Sequence, residues 1–226
     1  MKLVTMDIPE NGTTRETIGV VLSSDRILDL ASASLDIPSD MVLFIEKGKA
    51  GLEIARKLAS EAESGGHTAS THPLASVHLR APVPRPRKFV HAGRNFHKHL
   101  AESGSAMPAW RFHKHLAESG SAMPAQIPLA PRFTSTMIGP DEPIIYPPLT
   151  SKLDSEAEIV MIIGERCKNV PRENAFDVIM GYTLYNDVTA RDIQDDDARG
   201  GLFLCKSLDA TNAIGPWIVT SDEIDD

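Results

Sequence analysis

The chain has 226 residues and a formal net charge of -8, from 23 Lys and Arg against 31 Asp and Glu, with 42% hydrophobic and 24% charged residues. That composition excludes a disordered, collagen-like or disulfide-stapled chain, and the length suits one large domain or two small ones. The acidic excess lies in residues 151–226, where 7 basic groups meet 16 acidic ones, which argues against a nucleic-acid partner because phosphates would be repelled.

Lys2–Met6 and Thr17–Leu22 read as strands, and Asn11-Gly12 has the chemistry of a tight hairpin turn between them. Arg26–Leu30 would pair back after Ser24-Asp25. Asp40 suits the N-cap of a helix over Met41–Lys47, with Gly48 ending it. A second helix is predicted over Leu52–Glu63, with Leu52, Ala55, Leu58 and Ala59 on one face and Gly65-Gly66 closing it. Residues 1–80 are thus expected to form a small α+β domain. Alternating prolines bar regular structure from residues 81–87, which read as a linker, and residues 88–226 as a second domain opening with a strand at Lys88–Gly93.

Residues 96–109 and 112–125 are the same fourteen residues, FHKHLAESGSAMPA, separated only by Trp110-Arg111. Two copies do not make a solenoid, so one is read as native and the other as an insertion. Strand character returns at Ile144-Ile145-Tyr146 and at Ala157–Gly164, whose near-continuous apolar run predicts burial on both faces. A short helix is predicted over Glu173–Met180, then strands at Gly181–Tyr185 and Trp217–Thr220. Cys167 and Cys205, neither in a CxxC pair, fit a reducing compartment. The apolar run Ile159–Ile163 is far short of the roughly 20 residues that cross a bilayer. The N-terminus resembles neither a secretory signal nor a transit peptide. The expectation is a soluble cytoplasmic protein without a membrane partner, a mitochondrial location being also compatible.

Glu156 and Glu158 are two apart on a predicted strand, so their carboxylates share a face, and like charges there repel unless a cation or proton sits between them. Spacing alone also fits a solvent-facing pair. Asp187, at the end of a strand, supplies a possible third carboxylate, and such an oxygen set suits Mg²⁺, with Ca²⁺ or Mn²⁺ as alternatives. If Asp187 begins a helix, then Asp187, Arg191 and Gln194 share a face that could bind an anionic keto acid; an ordinary ion pair fits equally. His99 and Glu102 lie three apart on a predicted helix as an acid/base pair, and the duplicate offers His115 and Glu118 in the same spacing. Lys206 could stabilise an enolate or oxyanion, or simply be exposed.

Taken in order, these stretches resemble the fumarylacetoacetate hydrolase family. Gly93-Arg94-Asn95-Phe96-x-x-His99-x-x-Glu102 is similar to its lid motif, and Leu153–Glu158 to its paired-glutamate strand. Gly181-Tyr182-Thr183 through Asn186–Gln194 is the most distinctive stretch, and Lys206–Asp209 with Gly215-Pro216-Trp217 completes the series. The resemblance implies an α+β fold, a β-rich catalytic roll over residues 88–226 preceded by the small N-terminal domain. It implies a divalent metal, usually Mg²⁺, on Glu156, Glu158 and Asp187. His99, oriented by Glu102, would activate water or move a proton, while Arg191, Gln194 and Lys206 would hold a 2-oxo acid substrate. The implied reaction is hydrolysis of a C–C bond in an acylpyruvate or fumarylacetoacetate-like acid, with oxaloacetate decarboxylation or tautomerisation as the alternative, in a homodimer. The family continues past Asp226 with further strands, so the chain is expected to be a truncated member, with a catalytically inactive homologue as the rival reading.

Overall fold

The computed structural model describes residues 1–23, 25–92, 129–194, 196 and 201–224, with the side chains of 201 and 202 excepted. His99, Glu102, His115 and Glu118 lie outside the described residues. The chain divides into two compact units, Met1–Pro86 with Thr134–Asp226, and Arg87–Phe133.

In the first unit, strands β1 (Lys2–Glu10) and β2 (Thr13–Val21) form a hairpin, joined by Asn11 and Gly12 at φ 48 and 81. These two positive φ values match the right-handed twist of the paired strands. Strand β3 (Arg26–Asp29) pairs with β2, as the sequence predicts. Helix α1 (Leu30–Ala33) follows, then α2 (Met41–Ile45), where the Asp40 side chain accepts from the Leu43 N–H at 3.0 Å. Helix α3 (Gly48–Glu63) begins a turn earlier than the predicted Leu52, because Gly48, at φ 57, starts it directly after α2. It ends in a Schellman arrangement: Gly65, at φ 93, donates to Ala62 O and Gly66 to Glu61 O, so two terminal carbonyls are satisfied. Strands β4 (Thr71–Pro73) and β5 (His78–Leu79) complete this stretch.

The second unit holds β6 (Val90–Ala92) paired antiparallel with β7 (Leu129–Pro131), so the strand expected at Lys88–Gly93 is present in shorter form. Within it, Arg132 Nη2 bonds His91 Nδ1 at 3.0 Å.

The first unit resumes with β8 (Met137–Ile138), β9 (Leu153–Asp154), β10 (Ala157–Ile163), β11 (Ile179–Asn186), β12 (Thr189–Ala190) and β13 (Asn212–Thr220). One sheet runs β10-β11-β13-β1-β2-β3-β4, with β5 on β1 and β8 on β13. Because β1 pairs with β13, residues on both sides of the proline-rich 81–87 segment share that sheet. Helices α2 and α3 cover one face, burying Met41, Phe44, Leu52, Ala55 and Leu58 against Leu3, Ile18, Val20, Leu28 and Ile218. Val4, Met6, Ile8 and Ile27 form a smaller core. Gly181 permits the close approach of β11 to β13, since a Cβ there would lie 2.3 Å from Val219 O.

Three sequence expectations fail here. Ile144-Ile145-Tyr146 is not a strand: flanked by Pro143, Pro147 and Pro148, it makes one backbone bond among the described residues, Ile145 N–H to Ala210 O, and its side chains are exposed. Strand β10 is not buried on both faces: its burial alternates along the strand, leaving Ile159, Met161 and Ile163 exposed. The predicted helix over Glu173–Met180 is two 3₁₀ turns, Arg172–Asn174 and Phe176–Val178, cut short where Ile179 enters β11.

Candidate functional site

The candidate site is one face of a long antiparallel ribbon. In β10 and β11, Ala157 faces Asn186 and Glu158 faces Tyr185. The β9–β12 pair keeps the same register, with Asp154 facing Thr189 and Leu153 facing Ala190. Between them Asp187 N–H donates to Glu156 O at 2.9 Å, and beyond them Arg191 N–H donates to Lys152 O at 2.8 Å. Strand side chains alternate, so Asp154, Glu156 and Glu158 share a face with Tyr185, Asp187, Thr189 and Arg191. The β11–β13 register, with Tyr185 facing Ile214, carries Asn212 opposite Asp187. A small core of Ala190, Ile193 and Cys205, joined by Leu153, Leu204 and Leu208, lies beneath.

Two cations tie the carboxylates together. Lys206 Nζ donates to Glu156 Oε2, Asp187 Oδ2 and Thr189 Oγ1, each at 2.6 Å, so all three ammonium protons are used. Its position follows from the Ala190 N–H, which donates to Cys205 O at 2.8 Å and fixes the neighbouring residue. Arg191 donates through Nε and Nη2 to Asp154 Oδ2 at 2.9 and 2.8 Å, and through Nη1 to Gln194 Oε1 at 2.9 Å. Its Nη2 also pairs with Glu156 Oε1 at 2.7 Å. From the other side Asn212 Nδ2 donates to Tyr185 Oη at 2.8 Å and to Asp187 Oδ1 at 3.3 Å, and Thr211 Oγ1 donates to Asn212 Oδ1. The side chains of Asp187, Lys206 and Glu156 are 0%, 7% and 9% exposed, so these contacts act with little solvent screening.

The hydrogen bonds from Arg191 hold the Asp154 carboxyl below its ordinary value. Burial works against the Arg191 charge, but Asp154 and Glu156 outweigh it and push its value up. A carboxylate oxygen of Glu158 and one of Asp187 lie within 4.8 Å of each other. Asp154, Glu156 and Asp187 thus meet Arg191 and Lys206, and Glu158 adjoins Asp187, so that acidic oxygen donors gather on this face. A donor set of carboxylate oxygens fits a hard divalent cation, and Glu156, Glu158 and Asp187 could hold one.

The structure therefore brings together six predicted residues: Glu156, Glu158, Asp187, Arg191, Gln194 and Lys206. It corrects how they meet. Asp187 does not begin a helix; it lies between β11 and β12, and only Arg191–Gln194 is helical. Arg191 reaches the acids because 187 and 189 alternate on extended backbone and the Arg191 N–H bond to Lys152 O carries that register one pair further, not through an i, i+4 helical spacing. Lys206 is buried rather than exposed. Asp154, Tyr185, Thr189 and Asn212 join the site beyond the residues expected from sequence; the period of two through 154, 156 and 158 and through 185, 187, 189 and 191 signals the first three, and Asn212 enters only through the β11–β13 register. No disulfide links exposed Cys167 and buried Cys205.

Comparison with known proteins follows the same outline. The fumarylacetoacetate (FAA) hydrolase C-terminal family matches residues 88–226. The chain is 30% identical over 227 residues to the mitochondrial oxaloacetate tautomerase fahd2 of Xenopus laevis, covering 100% of this chain and 64% of that protein. It is 30% identical over 224 residues to the oxaloacetate tautomerase YisK of Bacillus subtilis, covering 93% and 68%. The crystal structure of a Sphingobium sp. SYK-6 maleylpyruvate hydrolase, in complex with manganese(II) and pyruvate, superposes with a TM-score of 0.69 at 26% identity, covering 100% of this chain and 69% of that one. The chain thus spans about two thirds of the length of the relatives it matches.

Proposed function

The chain belongs to the fumarylacetoacetate hydrolase family, and from that membership we propose that it is a divalent-metal-dependent enzyme acting on a small 2-oxo acid. The observation that carries this reading is the row of Glu156, Glu158 and Asp187 on one ribbon face, clamped by Lys206. These three residues would hold the metal, which when bound supplies Lewis-acid polarisation of the keto and carboxylate oxygens of a 2-oxo acid. Mg²⁺ and Mn²⁺ both suit the oxygen set, and Mn²⁺ is the ion named with the maleylpyruvate hydrolase.

The chain's own residues set the rest. Lys206 keeps Glu156 and Asp187 from repelling each other and fixes one oxygen of each, which holds the pair in place for a metal. Arg191 spends its Nε and Nη2 protons on Asp154 and Glu156. The remaining Nη1 proton and the Gln194 amide nitrogen are the donors for a substrate carboxylate, since Gln194 presents its oxygen to Arg191. Acid/base work falls to His99 with Glu102, or to His115 with Glu118.

Two reactions fit this arrangement. Hydrolysis of the C–C bond in an acylpyruvate is the first. Keto–enol tautomerisation of oxaloacetate is the second, favoured by the names of the Xenopus and Bacillus relatives. Incubating the chain with Mg²⁺ or Mn²⁺ and either acetylpyruvate or enol-oxaloacetate separates them, by release of pyruvate in the first case and by loss of enol absorbance alone in the second. Saturable Mn²⁺ binding that disappears in Glu158→Ala supports the reading. An absence of binding at millimolar Mn²⁺ removes it.

A further inference from the structure

We propose that Asp154 is a positioning residue, which holds the Arg191 guanidinium so that a single N–H reaches Glu156 and the guanidinium competes less with a metal cation for that carboxylate. The inference rests on the metal-site reading above. Asp154 lies two residues before Glu156 on the same ribbon face, opposite Thr189 and next to Arg191. One oxygen, Oδ2, accepts from both Nε and Nη2 of Arg191, at 2.9 and 2.8 Å. Gln194 takes Nη1 from the other side at 2.9 Å. The planar fork is therefore held on two edges, and only Nη2 is left to touch Glu156, at 2.7 Å on Oε1.

The consequence is specific to Glu156. Its other oxygen already accepts from Lys206 at 2.6 Å. A guanidinium released from Asp154 would turn to present two parallel N–H groups to Glu156, the geometry Arg and carboxylates prefer. Each Glu156 oxygen already meets one cation, and a second N–H from Arg191 would draw the carboxylate further onto the guanidinium, which would then compete more strongly with a divalent ion for it. An exposed ion pair is ordinarily worth little in stability, and the Asp154 side chain is 55% exposed. Its weight falls instead on where Arg191 points, which a melting curve hardly registers.

The test uses the full chain with Asp154→Asn and Asp154→Glu. Mn²⁺ affinity is measured by electron paramagnetic resonance, and the Arg191 Nε–H resonance is followed by NMR without metal. The expected result is an Mn²⁺ Kd raised about tenfold in Asp154→Asn, in the range typical for residues that orient metal ligands. Asp154→Glu should recover part of that loss, and the thermal midpoint should be nearly unchanged. The Arg191 Nε–H signal should shift or broaden in Asp154→Asn. Wild-type affinity in Asp154→Asn overturns the positioning role while leaving the metal site in place. If the parent chain itself binds no Mn²⁺, the metal reading falls, and an Nε–H resonance unmoved by Asp154→Asn then overturns the positioning role separately.

Discussion

Lys206 Nζ lies 2.6 Å from Oδ2 of Asp187, a carboxylate with no exposed side-chain surface, and equally close to Glu156 Oε2. The ammonium is thus the internal counter-ion of two carboxylates that the strand register places face to face. Lys206→Met keeps an unbranched side chain one atom shorter and removes that charge. Removing one partner of a buried ion pair leaves the others uncompensated, a loss of about 3–5 kcal/mol. Urea denaturation of the variant should show a fall of that size, and millimolar Mn²⁺ should restore part of it by supplying the missing positive charge. An unchanged midpoint in the absence of metal would contradict the counter-ion role.

Asn212 acts on the opposite side of the same carboxylate. Its amide nitrogen serves both Tyr185 Oη and Asp187 Oδ1, while its oxygen accepts from Thr211. Asn212→Leu is close in size and takes three bonds away from a residue with no exposed surface. Polar groups stripped of a partner in such a place cost about 1–3 kcal/mol each way the balance falls. Denaturation should register a loss in that range, and Mn²⁺ affinity should fall with it, since Asp187 loses the bond that fixes Oδ1. Stability within about 0.5 kcal/mol of the parent, the usual scatter of surface changes, would show that the bonds are dispensable.

The acids were legible in the sequence, and the way they converge was not. Glu156 and Glu158 announce a shared face through their spacing, and Asn11-Gly12 and Asp40 announce a turn and a cap, because these are local effects. Asp187 and Arg191 are four apart, a separation that fits a helix and a strand equally. What decides it is non-local: Arg191 N–H bonds Lys152 O and Ala190 N–H bonds Cys205 O. The burial of β10 is non-local in the same way. An apolar run says that a strand is apolar, not whether another layer covers both of its faces, and β10 leaves one face exposed while also standing at the end of the sheet order.

That end position has its own consequence. Ile159, Met161 and Ile163 on β10 and Leu184 on β11 are 61%, 57%, 49% and 63% exposed. Ile159 and Leu184 line a 410 Å³ apolar hollow together with Tyr182, Pro216, Trp217 and Val219. A contiguous apolar face beside a strand end is prone to association with other chains. The chain is expected to self-associate with rising concentration in light scattering. Met161→Lys should reduce that association without lowering the thermal midpoint, because the side chain it replaces points outward. Equal association in Met161→Lys would place the contact elsewhere.

Asp29 offers a pH test far from the metal-binding face. It ends β3 and caps α1, and its side chain is fully buried. Burial by itself pushes the carboxyl up, but hydrogen bonds from Ser32, Arg15 and Thr17 outweigh it and hold the group below its ordinary value. A carboxyl depressed in the folded state binds its proton more readily when unfolded. Its contribution is therefore fully present above the unfolded value, near 3.8, and is lost as pH falls through the lower folded value. Asp29→Asn should destabilise the chain by about 1.5–3 kcal/mol at neutral pH, the range for hydrogen bonds to a charged group. Urea melts run from neutral pH into the acid range should show the gap between parent and variant constant at first, then closing below about pH 4. A gap that widens with acid would mean that the buried carboxyl is protonated in the folded state and that its bonds from Arg15 and Thr17 do not hold its charge.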